Sequence, residues 1–371
     1  MVYKAVIVGM GGHAMSWKRN IDKHDEIELV ACVDTDTEKL ERDWKKWGVD
    51  DDCVYPTLKE MALWSDESWD ENTIAIIATP IPTHWVLSIQ AMQMGMNVIC
   101  EKNLCSSIQQ GRAMVKEALA NPHLCTATGT QTRYFYKYWT LKKFVTENAE
   151  RLGPLSFFNF TTLYNNGTRE FRWRHMLDDP VLEDMCPHSM DYLRYLTGMD
   201  VIEVNAHSFR HGYSNFCGNS GFTATMALAK PGQYEDRDNY LIGQYRADWF
   251  KKGKGGQTYE LLFENADVLM NEEGIFVNWY TDIEGREYKT EKVPLAHDVD
   301  IYEYPQNIEY KYEEQLLILD QMVTGMKSKG KIQPGTNWRD SFKSFCITQA
   351  VKEANTHRKV VRVPDYWKDL L

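Results

Sequence analysis

At 371 residues, 43% hydrophobic and 26% charged, the chain is long enough for two domains and apolar enough to bury a core, which excludes wholesale disorder. Acidic residues outnumber basic ones, 53 to 42, and the net charge of −11 excludes the basic stripe of a nucleic-acid-binding surface. No apolar run reaches the roughly 18 residues of a membrane span, and the apolar start meets glycine too early for a secretory leader. The eight cysteines show no C-x-x-C spacing, so free thiols, a reducing cytoplasm and no structural zinc are expected.

In chain order, short apolar runs rich in Val, Ile, Ala and Cys fall at 3–8, 28–33, 74–78, 97–100 and 124–128. Helix-like stretches lie between them at 37–47, 83–94 and 107–119. Buried strands alternating with helices predict an α/β, doubly wound parallel sheet of Rossmann type over 1–130. The first run leads straight into Gly9-Met10-Gly11-Gly12-His13-Ala14, a G-x-G-x-x-G/A dinucleotide pattern. Gly9 would make the tight turn and Gly11 would let a pyrophosphate approach. The small Ala14 would let the following helix sit close, with the phosphates on its N-terminus. Asp34 ends the second run at about the spacing of 20 residues expected for a ribose ligand. Its carboxylate, with Asp36 behind it, favours NAD over NADP. Asp34 or Thr35 could equally cap the next helix.

The later strands end in Thr79-Pro80, with His84 beyond, and in Glu101-Lys102-Asn103. Ligands of open α/β sheets bind beyond such carboxyl ends, so Lys102 would face the cofactor.

After about residue 153 the pattern changes. Strands are predicted at 155–163, 201–208, 222–229, 240–247, 258–263, 266–270, 274–279 and 287–293, and helices at 141–150, 188–197, 312–325 and 338–356. Alternating strands joined by short turns predict an α+β domain over 131–371, with a large, mostly antiparallel open sheet and helices on one side. The C-terminal helix could return to the first domain. Trp249, Phe276 and Trp279 suggest a sheet-to-sheet homo-oligomer, a dimer or tetramer. The segment Leu182-Glu183-Asp184-Met185-Cys186-Pro187-His188-Ser189-Met190-Asp191 stands out. Pro187 suits the first turn of a helix that Gly198 would end. His188 would lie in that turn, Asp184 on the loop before it, and Asp191 one turn on, which makes His188 a candidate general base. No second histidine stands at metal-ligand spacing, so no metal is expected.

These pieces, in this order, resemble the glucose–fructose oxidoreductase, inositol dehydrogenase and rhizopine-catabolism (Gfo/Idh/MocA) family over essentially the whole chain. The likeness rests on the Gly9-to-Ala14 turn, Asp34, Thr79-Pro80 with His84, Glu101-Lys102, residues 129–133 and the Asp184-x-x-x-His188-x-x-Asp191 pattern. It implies an NAD site drawing on Gly9, Gly11, Gly12, His13 and Ala14 in the first turn, and on Asp34 and Thr35 after the second strand. Thr79, Pro80, His84, Glu101, Lys102 and Gln131 would complete it. It also implies a catalytic group of Lys102, Asp184 and His188, with Arg133, Trp173 and Arg174 at the substrate or nicotinamide rim.

The activity so implied is NAD-dependent oxidation of a secondary ring hydroxyl on a sugar, cyclitol or glycoside. His188 would take the proton, Asp184 would orient His188, and Lys102 would bind the reacting oxygen. Two alternatives stand beside it: an NAD-retaining glycosidase or lyase working through a transient keto-sugar, and a non-catalytic sensor. Three departures from the family pattern bear on the substrate. Asn103 replaces the proline after Glu-Lys, Asp178-Asp179-Pro180-Val181 replaces a glycine-rich approach, and Cys186-Pro187 stands where a glycine is usual.

Overall fold

The computed structural model describes residues 2–165, 177–296 and 313–371. Among these, residues 2–131, 313–345 and 369–371 form one compact unit, and the remainder another.

The first unit carries a six-stranded sheet: β1 (Tyr3–Val8), β2 (Ile27–Val33), β3 (Val54–Tyr55), β4 (Thr73–Ile77), β5 (Asn97–Cys100) and β6 (Thr126–Thr128). Its order is β3-β2-β1-β4-β5-β6, and every pairing is parallel. β4 and β5 are buried along their whole length, which is why they read as unbroken apolar runs. The chain order reverses between β1 and β4, and that is where doubly wound sheets open a crevice. The helices are α1 (Ala14–Ile21), α2 (Thr37–Trp47), α3 (Leu58–Trp64), α4 (Ile81–Gln93) and α5 (Ile108–Ala120). Strand β3 has two residues and so leaves no readable period.

Two later helices enter the sequence here as α9 (Gln315–Lys327) and α10 (Trp338–His357). α9 belongs with the first sheet, not with the second as its position in the chain suggested. Asn20 of α1 donates to Gln315 at 3.1 Å, and Glu26 pairs with Lys327 at 2.6 Å. The start of α10 is fixed to β6, with Trp338 Nε1 on the Ala127 carbonyl at 3.2 Å and the Thr128 N–H on the Thr336 carbonyl at 2.8 Å.

The second unit holds α6 (Tyr136–Glu147), α7 (Ala149–Leu152), α8 (Cys186–Thr197) and a nine-stranded mixed sheet. Its strands are β7 (Leu155–Leu163), β8 (Asp200–Phe209), β9 (Gly221–Ala229), β10 (Leu241–Asp248), β11 (Gly256–Phe263), β12 (Ala266–Asn271), β13 (Gly274–Tyr280), β14 (Tyr288–Val293) and β15 (Val361–Arg362). The order is β14-β13-β12-β11-β7-β10-β9-β8-β15, and β7–β10 is the one parallel pairing. Strands such as β12 alternate buried and half-buried residues, as a sheet covered on one face requires. Trp249 and Trp279 are buried in the core, so of the three aromatics suggested for an interface only Phe276 stands on the other face. α6 begins five residues before its predicted start, because aromatic residues 136, 138 and 139 disguise the helical period.

Candidate active site

Gly9 ends β1 with φ +94°, a conformation that L side chains rarely adopt. A Cβ there would stand 2.8 Å from the Ala78 carbonyl, so only glycine lets the ends of β1 and β4 lie this close. Gly11 and Gly12 are the opposite case. A Cβ at either meets nothing within 4 Å, so the approach to the backbone is open. Ala14 opens α1 and is fully buried, as close helix–sheet contact demands. Met10 N–H donates to Asp34 at 2.7 Å and joins the turn to the end of β2.

Asp34 also accepts from the Asp36 N–H at 3.1 Å and from Lys39 Nζ at 2.7 Å. Burial alone would raise its pKa. The Lys39 ammonium and the two N–H groups outweigh that and hold the carboxyl below its ordinary value, so it is ionised. The helix cap is Asp36, whose side chain accepts from the Lys39 N–H, rather than Asp34 or Thr35. Thr35 is exposed beside it.

Thr79 and Pro80 lead into α4, with Pro80 as its N-cap. His84, one turn on, is buried, and its two nitrogens lie 2.7 Å from the Asn103 carbonyl and 2.8 Å from the Thr79 carbonyl. Burial lowers its pKa, and the two carbonyls and Glu101 oppose that shift. Placed between these two carbonyls, the ring ties together the loops after β4 and β5.

Glu101 follows β5 and is buried. It accepts from Trp17 Nε1 at 2.7 Å and from the Lys102 N–H at 3.0 Å, and His13 Nε2 stands 3.4 Å away. Burial would raise its pKa; His13, Trp17 and Lys102 hold it below the usual carboxylate range. Gly129 makes room for it, since a Cβ would lie 2.7 Å from Glu101 Oε1. The carboxylate therefore fixes the backbone from which Lys102 projects. Gln131 is buried, and its Oε1 has no hydrogen-bond partner among the described residues. An open glycine cradle, a ribose-type carboxylate and an orphaned amide oxygen all fit a dinucleotide.

In the second unit, Asp184 lies on a helical turn, not on a loop. Val181–Met185 forms a wide turn in which the Cys186 N–H returns to the Val181 carbonyl, and it runs directly into α8. Such π-type turns recur at functional sites because they shift the phase of a helix face. Pro187 occupies the first turn of α8, and Gly198, at φ +68°, ends it. His188 is half-buried, and so is Asp184. Cys186 just before is fully buried, and burial pushes its thiol pKa well up. Trp249 Nε1 donates to Met185 Sδ at 3.3 Å, seating the turn.

Asp191, one turn beyond His188, is the counter-ion of Arg133. It is completely buried and takes both Nε and Nη2 of Arg133 in a two-pronged ion pair, over which the Tyr195 ring stacks at 5.1 Å from the guanidinium. Arg133, expected at the substrate or nicotinamide rim, is thus a buried cation paired with Asp191. Trp173 and Arg174 lie outside the described residues. Sequence reasoning missed Lys39 and Trp17, for which the one available signal was their place one turn beyond Asp34 and His13. Among the described residues no three His, Cys, Asp or Glu side chains group as a metal site would need, and no helix is long and apolar enough to cross a membrane.

Residues 3–128 match the model of the Gfo/Idh/MocA oxidoreductase family, described as its NAD-binding Rossmann fold. Inositol 2-dehydrogenase 4 of Saccharopolyspora erythraea is 28% identical over 195 residues, a match spanning 53% of this chain and 53% of the relative, about half of each. A solved levoglucosan dehydrogenase in complex with NADH superposes with a TM-score of 0.79 at 16% identity, covering 98% of this chain and 100% of that one. An oxidoreductase from Agrobacterium radiobacter, in complex with NAD+, L-tartaric acid and magnesium, gives 0.79 at 16% identity over 99% and 100%. These two likenesses show a shared fold across both units.

Proposed function

We propose that the chain is an NAD-dependent dehydrogenase that oxidises a secondary ring hydroxyl of a sugar, cyclitol or glycoside. The observation that carries this reading is the Gly9-to-Ala14 turn, open at Gly11 and Gly12 and tied to an ionised Asp34. The names of the similar proteins, inositol 2-dehydrogenase and levoglucosan dehydrogenase, favour a polyhydroxylated ring as substrate.

NAD supplies the hydride acceptor. Gly11 and Gly12 leave room for its pyrophosphate at the start of α1, Asp34 accepts from its adenosine ribose, and Gln131 Oε1 offers an acceptor for an amide. His188 removes the hydroxyl proton, and Asp184 orients the imidazole and favours its charged form once the proton has arrived. Lys102, set by Glu101, holds the reacting oxygen as negative charge develops on it. The eight free thiols suit a reducing cytoplasm. The face of the second sheet that bears Phe276 offers a second copy a place to dock, in line with a homo-oligomer.

The test is a panel of sugars, cyclitols and glycosides incubated with NAD, following both NADH and keto product. Stoichiometric NADH and ketone support the dehydrogenase. Aglycone release without NADH would support the NAD-retaining lyase instead, and no turnover of any member would leave the sensor reading.

A further inference from the structure

Asp34 is the acid that the dinucleotide pattern assigns to a ribose diol, yet its carboxylate is already engaged. It accepts from the Met10 N–H at 2.7 Å, from the Asp36 N–H at 3.1 Å and from Lys39 Nζ at 2.7 Å. An ionised carboxylate offers about four lone-pair positions, so three donors leave about one. A diol brings two hydroxyls and must share or displace the most mobile of those donors, the Lys39 ammonium. A ribose 2′-phosphate meets the reverse situation. Asp34 repels it, and Lys39 is a ready counter-ion on the first turn of α2, with both side chains partly solvent-accessible, 22% for Lys39 and 15% for Asp34. Lysine binds phosphate as a point charge and needs no fixed geometry to do so.

We propose that Lys39 determines the cofactor choice of this site: it shields Asp34 and pairs with a 2′-phosphate, so that the chain takes NADP as well as NAD. The proposal rests on the nucleotide reading of the Gly9-to-Ala14 turn and modifies the preference that Asp34 alone implies. NAD stays ahead, because Asp36 closes the N-terminus of α2 with its own carboxylate and adds a second negative charge. The ammonium on Asp34 offsets part of this negative charge, which makes the preference shallow.

The experiment measures binding of ADP and of 2′,5′-ADP to the full chain by calorimetry at low salt. It compares the wild type with Lys39→Gln and Lys39→Arg. The wild type should bind both ligands with Kd values within about tenfold of each other. Lys39→Gln should weaken 2′,5′-ADP at least about tenfold, the size of one lost charge-assisted contact, and leave ADP unchanged or tighter. Lys39→Arg should retain 2′,5′-ADP, which a merely structural role in α2 would not require. An unchanged 2′,5′-ADP affinity in Lys39→Gln, an equal loss of both ligands, or a wild type that binds ADP and refuses 2′,5′-ADP would each overturn the assignment. A wild type that binds neither would overturn the nucleotide reading along with it.

Discussion

The two units build their candidate residues in opposite ways. In the first, the turn after β1 is shaped by what is missing: Gly9 has no Cβ to strike Ala78, and Gly11 and Gly12 leave open space. In the second, Asp184 and His188 lie in a packed segment: a wide helical turn, the buried thiol of Cys186 and Trp249 against Met185, with the buried Arg133–Asp191 pair further along the same helix. A site made by absent side chains leaves a local mark in the sequence. A site made by packing depends on residues far along the chain. The comparison also predicts which unit fails by losing a ligand and which fails by losing its fold.

The largest effect belongs to the packed unit. Asp191→Asn removes the buried counter-charge of Arg133 and should lower unfolding stability by about 3–5 kcal/mol. Chemical denaturation reads this directly, and a loss under 1 kcal/mol would mean that Arg133 is satisfied without it. Next comes Lys102→Ala, which should cut kcat roughly a hundredfold or more while nucleotide affinity changes little, since in the proposed reaction the ammonium would act on the developing alkoxide. A parallel loss in nucleotide affinity would move Lys102 to the cofactor. Third is a matched pair of glycine variants. Gly9→Ala should cost about 1–3 kcal/mol of stability and also nucleotide binding, because backbone must move. Gly11→Ala should leave the melting temperature unchanged and still weaken the nucleotide, because the added methyl fills the ligand's space. Equal destabilisation by both would erase the contrast between the two kinds of glycine.

The smallest effect concerns Glu101. Its folded pKa lies below the unfolded one, so its ionisation stabilises the fold above the unfolded value near ~4.3 and ceases to do so as the pH falls through the folded value. Stability should therefore fall on acidification below about pH 4.5, and Glu101→Gln should flatten that slope. An identical acid slope in the variant would show that other carboxylates carry it.

The sheet of the first unit was legible because its strands are buried on both faces and its turn chemistry sits within a few residues. β3 escaped because two residues carry no period. The attachment of α9 and the start of α10 to that sheet escaped because nothing in a helix names its partner. In the second unit the end of α8 was legible from Pro187 and Gly198, which act on their own backbone. The wide turn under Asp184 was not, because a helix phase shift is invisible to a regular period. Asp191 stands at helical spacing from His188, but its buried ion pair with Arg133, some sixty residues earlier, leaves no local mark. Likewise nothing in the string of residues announces that His84 stands between the carbonyls of Thr79 and Asn103.

At the centre of the proposed function a hydride would leave a ring carbon for NAD while His188 takes the proton. This step is tested most directly with a substrate from the panel carrying deuterium on the carbinol carbon, followed by mass analysis of the recovered cofactor. Each NADH formed should carry one deuterium, and its formation should collapse in His188→Asn while ADP still binds. Reduced cofactor without the label, or an undiminished rate in His188→Asn, would contradict it.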